Sequence, residues 1–251
     1  MRTSLRLLVL VASLLATNSI LALGADPTSP ERVHPSLAHR KPLIHRIVLL
    51  PARVEMFEVQ AGGMEKMEDW AADAKAHLLA SLQDHLKAKA SLTLDLIEEG
   101  RLAPDQEQAL SGMQSMYEAV RQSIVQHTYP GRPDNPVNHL FDHKVDQFDY
   151  SLGEDVRALS KDAHAYLAIQ VLDYRRSKGL IALQAGAMIA GALLGVVPVP
   201  RGMPTESSLS LIDAETGDIL WFYRFQSAYD VRDRQGADQL LDEAFRSFPL
   251  P

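Results

Sequence analysis

The residues best suited to chemistry sit in one short stretch, His139-Leu140-Phe141-Asp142-His143, with Asp146 and Asp149 close behind. Two imidazoles four apart meet on one face of a helix, and neighbouring carboxylates could complete a metal shell. His139, His143 and Asp142 are therefore the candidate metal ligands. His127 could add a donor, or serve as the cation that favours the end of its own helix. Pro136 and Asn138 point instead to a loop, where His and Asp collect because water solvates them, and a working site needs a third or fourth ligand at defined geometry. No resident cofactor is expected.

Covalent chemistry finds less support. The chain has no cysteine, no Gly-x-Ser-x-Gly and no Ser-x-x-Lys, so the familiar nucleophile signatures are missing. Gly62-Gly63 precedes a helical pattern but lacks the further glycines and the lysine of a phosphate-cradling loop, and turn formation accounts for it. The carboxylate pairs Glu98-Glu99 and Glu154-Asp155 have no apolar sequence surroundings that would raise a pKa, and exposed helix ends explain them. Trp221, Phe222 and Tyr223 read as core and sheet-face aromatics. In Asp213 to Asp218, Gly217 should supply positive φ while the acids solvate the turn.

The elements that must position these residues follow from periodicity. Ile44 to Val54 surrounds the apolar run Ile47 to Leu50, expected of a strand buried on both faces, with Pro51 ending its pairing. Met64 to Ala90 carries Met67, Trp70, Ala71, Ala74, Leu78, Leu82 and Leu86 at helical spacing. Ser91 to Ile97 alternates as a second strand, which makes a strand-helix-strand crossover. Pro104 opens another helix that runs to His127, and the prolines of residues 129–136 end it. Residues 137–150 form an irregular connector. Ser151 and Glu154 suggest a capped short helix, and His164 to Tyr174 a buried strand. Ser207 to Ile212 and Ile219 to Phe225 flank an acidic turn as an antiparallel hairpin, and a helix from Ala237 to Phe248 closes the chain. The sum is an α/β fold: a single three-layer domain over residues 44–251, with a mixed sheet, crossover helices and a late hairpin.

One stretch fits no ordinary surface element. Leu180 to Pro200 contains no charged residue. A helix of this length, at a rise of about 1.5 Å per residue, reaches toward the roughly 30 Å of a bilayer core. Gly186 precedes a small-x-x-x-small spacing, Gly191 to Gly195 with Leu193 between them, that lets helices approach closely. Pro198 and Pro200 shorten the run, and one crossing would put the late hairpin on the wrong side of the membrane from its partner strand. Burial in the domain or in an oligomer interface is the main expectation, and contact with a bilayer the alternative.

The amino terminus reads as an export signal over residues 1–24: Arg2 and Arg6, an apolar run, then Ala22-Leu23-Gly24 before the cut. Residues 25–43, rich in proline, read as a flexible leader. An exported chain without cysteine must rely on its hydrophobic core and lacks the residue to which a lipoprotein anchor is attached. The formal charge is −7, and loss of Arg2 and Arg6 makes it more negative, which disfavours nucleic acid as a partner.

Four segments carry a resemblance: HRIVLLPARVEMFEV with Gly62-Gly63, DYSLGEDVRAL, DAHAYLAIQV, and SLSLIDAETGDILWFYRF. Together they resemble an exported bacterial family whose α/β domain is similar to the amino-terminal domain of the translocation protein TolB and to curli-secretion lipoproteins of the CsgG type. The resemblance implies an envelope protein that acts through protein contacts without a catalytic centre. It carries over no functional residue, and the lipidated cysteine and pore-forming strands of the lipoprotein relatives are missing from this chain. The expected function is that of a non-catalytic interaction or assembly factor on the periplasmic side of a membrane, partnered by an envelope protein or its own copies. The alternatives are a soluble periplasmic ligand- or metal-binding protein and a hydrolase without a readable motif.

Overall fold

The computed structural model describes residues 26, 28–89, 91–98, 100–129, 139–193, 206–225 and 229–251, with backbone only at 139 and 186–193. The expected export signal lies outside them, as does Gly195. At the centre of the fold is the longest strand, β6 (Ala165–Arg176), whose first five residues are buried. It has two partners along one edge. β2 (Arg46–Leu49) lies parallel to its start, Ile47 opposite Ala165, and β3 (Arg53–Gln60) lies parallel to its second half, Arg53 opposite Gln170. Pro51 separates them: pairing stops beside Leu50, as expected of a residue without an N–H, and resumes two residues later in the same direction. A short β4 (Gly63–Lys66) folds back on β3, which displaces the expected helix start from Met64 to Glu68.

The other edge of β6 is antiparallel. β7 (Ser208–Asp213) pairs with β6, and β8 (Ile219–Arg224) with β7, as the expected hairpin. β5 (Thr93–Leu96) flanks β2 in parallel, reached from it through α2 (Glu68–Lys87). With β1 (Glu31–Val33) outermost, the strand order β1-β8-β7-β6-β2-β5, with β3 and β4 continuing β6's far end, makes the mixed eight-stranded sheet of an α/β fold.

The outermost strand corrects the flexible leader. β1 (Glu31–Val33) pairs antiparallel with β8, and Leu37, in the short α1 (Leu37–Arg40), is buried. The proline-rich composition misled because what fixes this segment is one buried arginine. Arg32 Nε donates to the Thr128 carbonyl at 3.1 Å and Nη1 to the Ser29 carbonyl at 2.8 Å, while its guanidinium lies 4.0 Å from the Tyr129 ring centroid.

Alternation along the strands divides the interior into two cores. Ile47 and Leu49 face α2 and α6 (Arg234–Phe245), joining Leu78, Leu82, Leu86, Leu240 and Leu241. Val48 and Leu50 face the opposite layer, α3 (Pro104–Thr128), joining Leu110, Met113, Tyr117 and Ile124. Helices on both faces cover the sheet, which is why β2 and β6 read as nearly continuous apolar runs. The expected helix after Ser151 is a single 3-10 stretch, Glu154–Ala158. There Ser151 Oγ is committed elsewhere, donating to the Thr216 carbonyl and accepting from the Gly153 N–H, so it does not cap the segment.

Candidate functional site

The apolar stretch begins where β6 ends. Ser177 N–H donates to the Val59 carbonyl at 2.9 Å, which ties the exit to β3, and Ser177 Oγ accepts from Leu180 N–H at 3.1 Å, satisfying a first-turn donor. From there α5 (Lys178–Leu193) departs. Arg176 Nη1 donates to Gln184 Oε1 at 3.2 Å and holds the second turn against the strand. Ile181 is 53% exposed and Leu183 60%, and Ala182 and Ala185 are exposed with them. Burial in the domain's own core, one of the expected placements, therefore does not hold for residues 178–185. The sheet and its helices already close both cores without α5. Gly186 and Gly191 lie within its helical backbone and Leu193 ends it. No helix among the described residues is long and apolar enough to cross a membrane.

The surroundings of α5's first turn are aromatic and basic. Phe57 and Tyr174 stack with ring centroids 5.4 Å apart, and both are half-buried. An open groove of about 630 Å³ runs past Trp70, Tyr174, Arg175, Arg176, Lys178 and Arg232. Met64, on the neighbouring β4, is 55% exposed. Sequence reading missed this surface because β3 and β4 were not legible as strands, so nothing placed Phe57 or Met64 beside α5.

The metal candidates are arranged otherwise. His139 lies in a 3-10 turn, His139–Phe141, and His143 begins α4 (His143–Gln147) with Asp142 exposed before it. Lys144 takes Asp149 in an ion pair at 2.6 Å. His127 stacks on Phe141 at 3.8 Å and shares a 3.1 Å hydrogen bond with Tyr150. Burial, and then the Lys144 charge, lower its pKa. Among the described residues no three His, Asp or Glu side chains converge as a metal site would require.

A second polar cluster is buried between α3 and the sheet. Tyr117 OH and Ser210 Oγ are 2.7 Å apart, and Glu118 accepts from Arg121 Nη2 at 2.9 Å and from Gln170 Nε2 at 2.6 Å. Burial alone would raise the Glu118 carboxyl, but the Arg121 and Gln170 hydrogen bonds with the guanidinium charge hold it at about 2. A carboxylate so neutralised is a poor proton acceptor at neutral pH, and the cluster joins helix to sheet. Asp213 is likewise structural. It is fully buried, accepts from the Glu215 and Thr216 N–H groups at 2.8 and 3.0 Å, and pairs with Arg40. The acids of this turn therefore do not simply solvate it, whereas Gly217 does take the expected positive φ, +77°.

Comparison with protein-family models, with curated proteins and with solved structures found no match, so a function for this chain has to rest on its own surface and chemistry.

Proposed function

We propose that this chain is a non-catalytic, exported protein of the bacterial envelope, an interaction or assembly factor on the periplasmic side of a membrane, with α5 as its contacting element. One observation carries the reading: an apolar helix leaves a sheet whose two faces are already covered, and sets Ile181 and Leu183 in water. Large apolar side chains grouped on a projecting element mark a surface that another molecule covers. The export reading of residues 1–24 supports an envelope address. The non-catalytic part is supported by the polar clusters, since Glu118 and Asp213 are each neutralised by an arginine.

Expression in a Gram-negative host and stepwise envelope fractionation test the reading. The chain is expected to be processed and recovered with the envelope. Changing Ile181→Ser together with Leu183→Ser is expected to move it to the soluble fraction, or to reduce its assembly size, without altering its melting. A chain that stays unprocessed in the cytoplasm, or a double variant with unchanged distribution and size, would sink the proposal.

A further inference from the structure

We propose that α5 and the basic collar at its base dock onto a bilayer with anionic headgroups, the helix entering the apolar layer while Arg176 and Lys178 remain at phosphate depth. This rests on the reading of α5 as the contacting element and names what it contacts.

The helix itself is suited to an apolar medium. Its sequence after Lys178 is Gly-Leu-Ile-Ala-Leu-Gln-Ala-Gly-Ala-Met-Ile-Ala-Gly-Ala-Leu, in which Gln184 is the sole polar side chain. A helix that docks in a protein groove buries one stripe and keeps a polar face for water; a helix apolar on all sides needs an apolar medium all round it. Gln184 is engaged by Arg176 at the base, which leaves the remainder without a hydrogen-bonding side chain.

Charge at its base suits a headgroup layer. The chain as a whole is acidic, at −7, whereas the groove at the base of α5 sets Arg175, Arg176, Lys178 and Arg232 against Glu58. Arg175 is met by Asp173 and Arg232 by Asp230, each at 2.6 Å. Glu58, the acid in the groove, accepts from Gln60. Arg176 and Lys178 have no carboxylate within ion-pair distance among the described residues, and Lys178 is exposed. Lys178 also sits in the first turn of α5, which holds no acidic residue, so it opposes the helix dipole rather than complementing it. Two uncompensated cations beside an apolar helix complement phosphate headgroups, and Trp70 and Tyr174 supply the aromatic rings favoured at that depth.

Topology sets how the helix can enter. β7 pairs antiparallel with β6, Ser208 opposite Gln170, so the chain returns to the sheet it left. Among the described residues the helix has 16 residues and spans about 24 Å at its ordinary rise, shorter than the roughly 30 Å apolar layer. Entry from one side without crossing is the arrangement that both facts allow.

The test is flotation of the chain purified from the envelope with vesicles of phosphatidylcholine alone and of equal parts phosphatidylcholine and phosphatidylglycerol, with its size in solution measured by light scattering. Flotation is expected with the anionic vesicles and to weaken with salt. Lys178→Gln, at an exposed position, should weaken it about fivefold, the ratio that corresponds to about 1 kcal/mol for one basic residue at such a surface. Ile181→Ser with Leu183→Ser should abolish it, with the far-UV spectrum and melting unchanged. Equal flotation with neutral vesicles, or no response to Lys178→Gln, overturns the anionic assignment. No flotation, but a change of size in solution on Ile181→Ser with Leu183→Ser, means that α5 docks another copy of the chain: the lipid inference fails and the interaction factor stands. If neither flotation nor size responds to the double substitution, both fail.

Discussion

Glu118 shows how a single carboxylate can set the acid limit of this fold. Its side chain is 28% exposed and hydrogen-bonded to the buried Arg121, and its folded pKa of about 2 lies below the ordinary 4.5. A group depressed in the folded state stabilises the protein above its unfolded pKa, and that contribution is lost as pH falls toward the folded value. Glu118→Gln is therefore expected to cost about 1–3 kcal/mol at neutral pH, because the buried Arg121 loses its nearer anion and keeps only Glu206, at 3.8 Å. The difference between parent and variant, measured by urea denaturation, should shrink as pH falls from 4.5 to about 2. A constant difference across that window would assign the loss to packing instead. At Gly217 the limit is steric. Its φ is +77°, and a Cβ there would stand 2.3 Å from the Gly153 carbonyl oxygen, which belongs to backbone and cannot step aside. Gly217→Ala should cost about 2 kcal/mol or more in thermal or urea unfolding. A loss of a few tenths would mean that residues 151–153 can shift away from the hairpin turn at little cost.

Among the elements, β1 separates what was legible in the sequence from what was not. The apolar runs of β2 and β6, the spacing of Ala74, Leu78, Leu82 and Leu86 in α2, and the hairpin of β7 and β8 were each visible because a local pattern recorded burial on one face or two. β1 leaves no such pattern. In Glu31-Arg32-Val33 the buried residue is the arginine and the valine is 45% exposed, the reverse of the rule by which strands are read. β3 was hidden for a related reason: Pro51 suggested an end, and only the long β6 offers the edge on which pairing resumes. The apolar length of α5 was equally plain, but the exposure of its residues 178–185 was not, since composition gives the same signal for a buried helix and for one that meets solvent. The metal pattern at His139, Asp142 and His143 shows the limit of spacing as a guide, because the two histidines fall in different short helical turns. Because β1 hangs on its buried arginine, Arg32→Met, which keeps an apolar stem of similar length, is expected to destabilise the chain by about 2 kcal/mol or more, since the Thr128 and Ser29 carbonyls lose their donor. Hydrogen exchange on the parent should find the β1 amides protected along with β8. An Arg32→Met variant within about 0.5 kcal/mol of the parent would mean that water replaces the guanidinium and that β1 is held by its backbone alone.

In the whole molecule, one sheet serves two cores, and this couples regions that do not touch. Ile47 and Leu49 are fixed by α2 and α6, and Val48 and Leu50, their neighbours along the chain, by α3. A strand loosened from one layer cannot keep its alternate side chains seated in the other, so the layers are expected to unfold together. Ile124, on α3, is fully buried; Trp221 lies in the opposite core, stacked against Tyr223 at 5.7 Å and edge-on to Phe248 at 5.5 Å. Ile124→Ala should cost about 2–5 kcal/mol for the methyl groups removed and the cavity left. The consequence that tests the coupling is where this loss is seen: tryptophan fluorescence and far-UV circular dichroism should shift by the same amount, although the substitution lies across the sheet from Trp221. Trp70→Phe removes the other indole and makes the fluorescence report on Trp221. If fluorescence kept the parent midpoint while the helical signal fell early, α3 would be a separable layer, and the sheet with α2 and α6 would be the unit that folds alone. If the two probes move together, α5 is carried by a cooperative body. Ile181→Ser with Leu183→Ser, which touches neither core, should then change what the molecule binds while leaving its unfolding midpoint where it was.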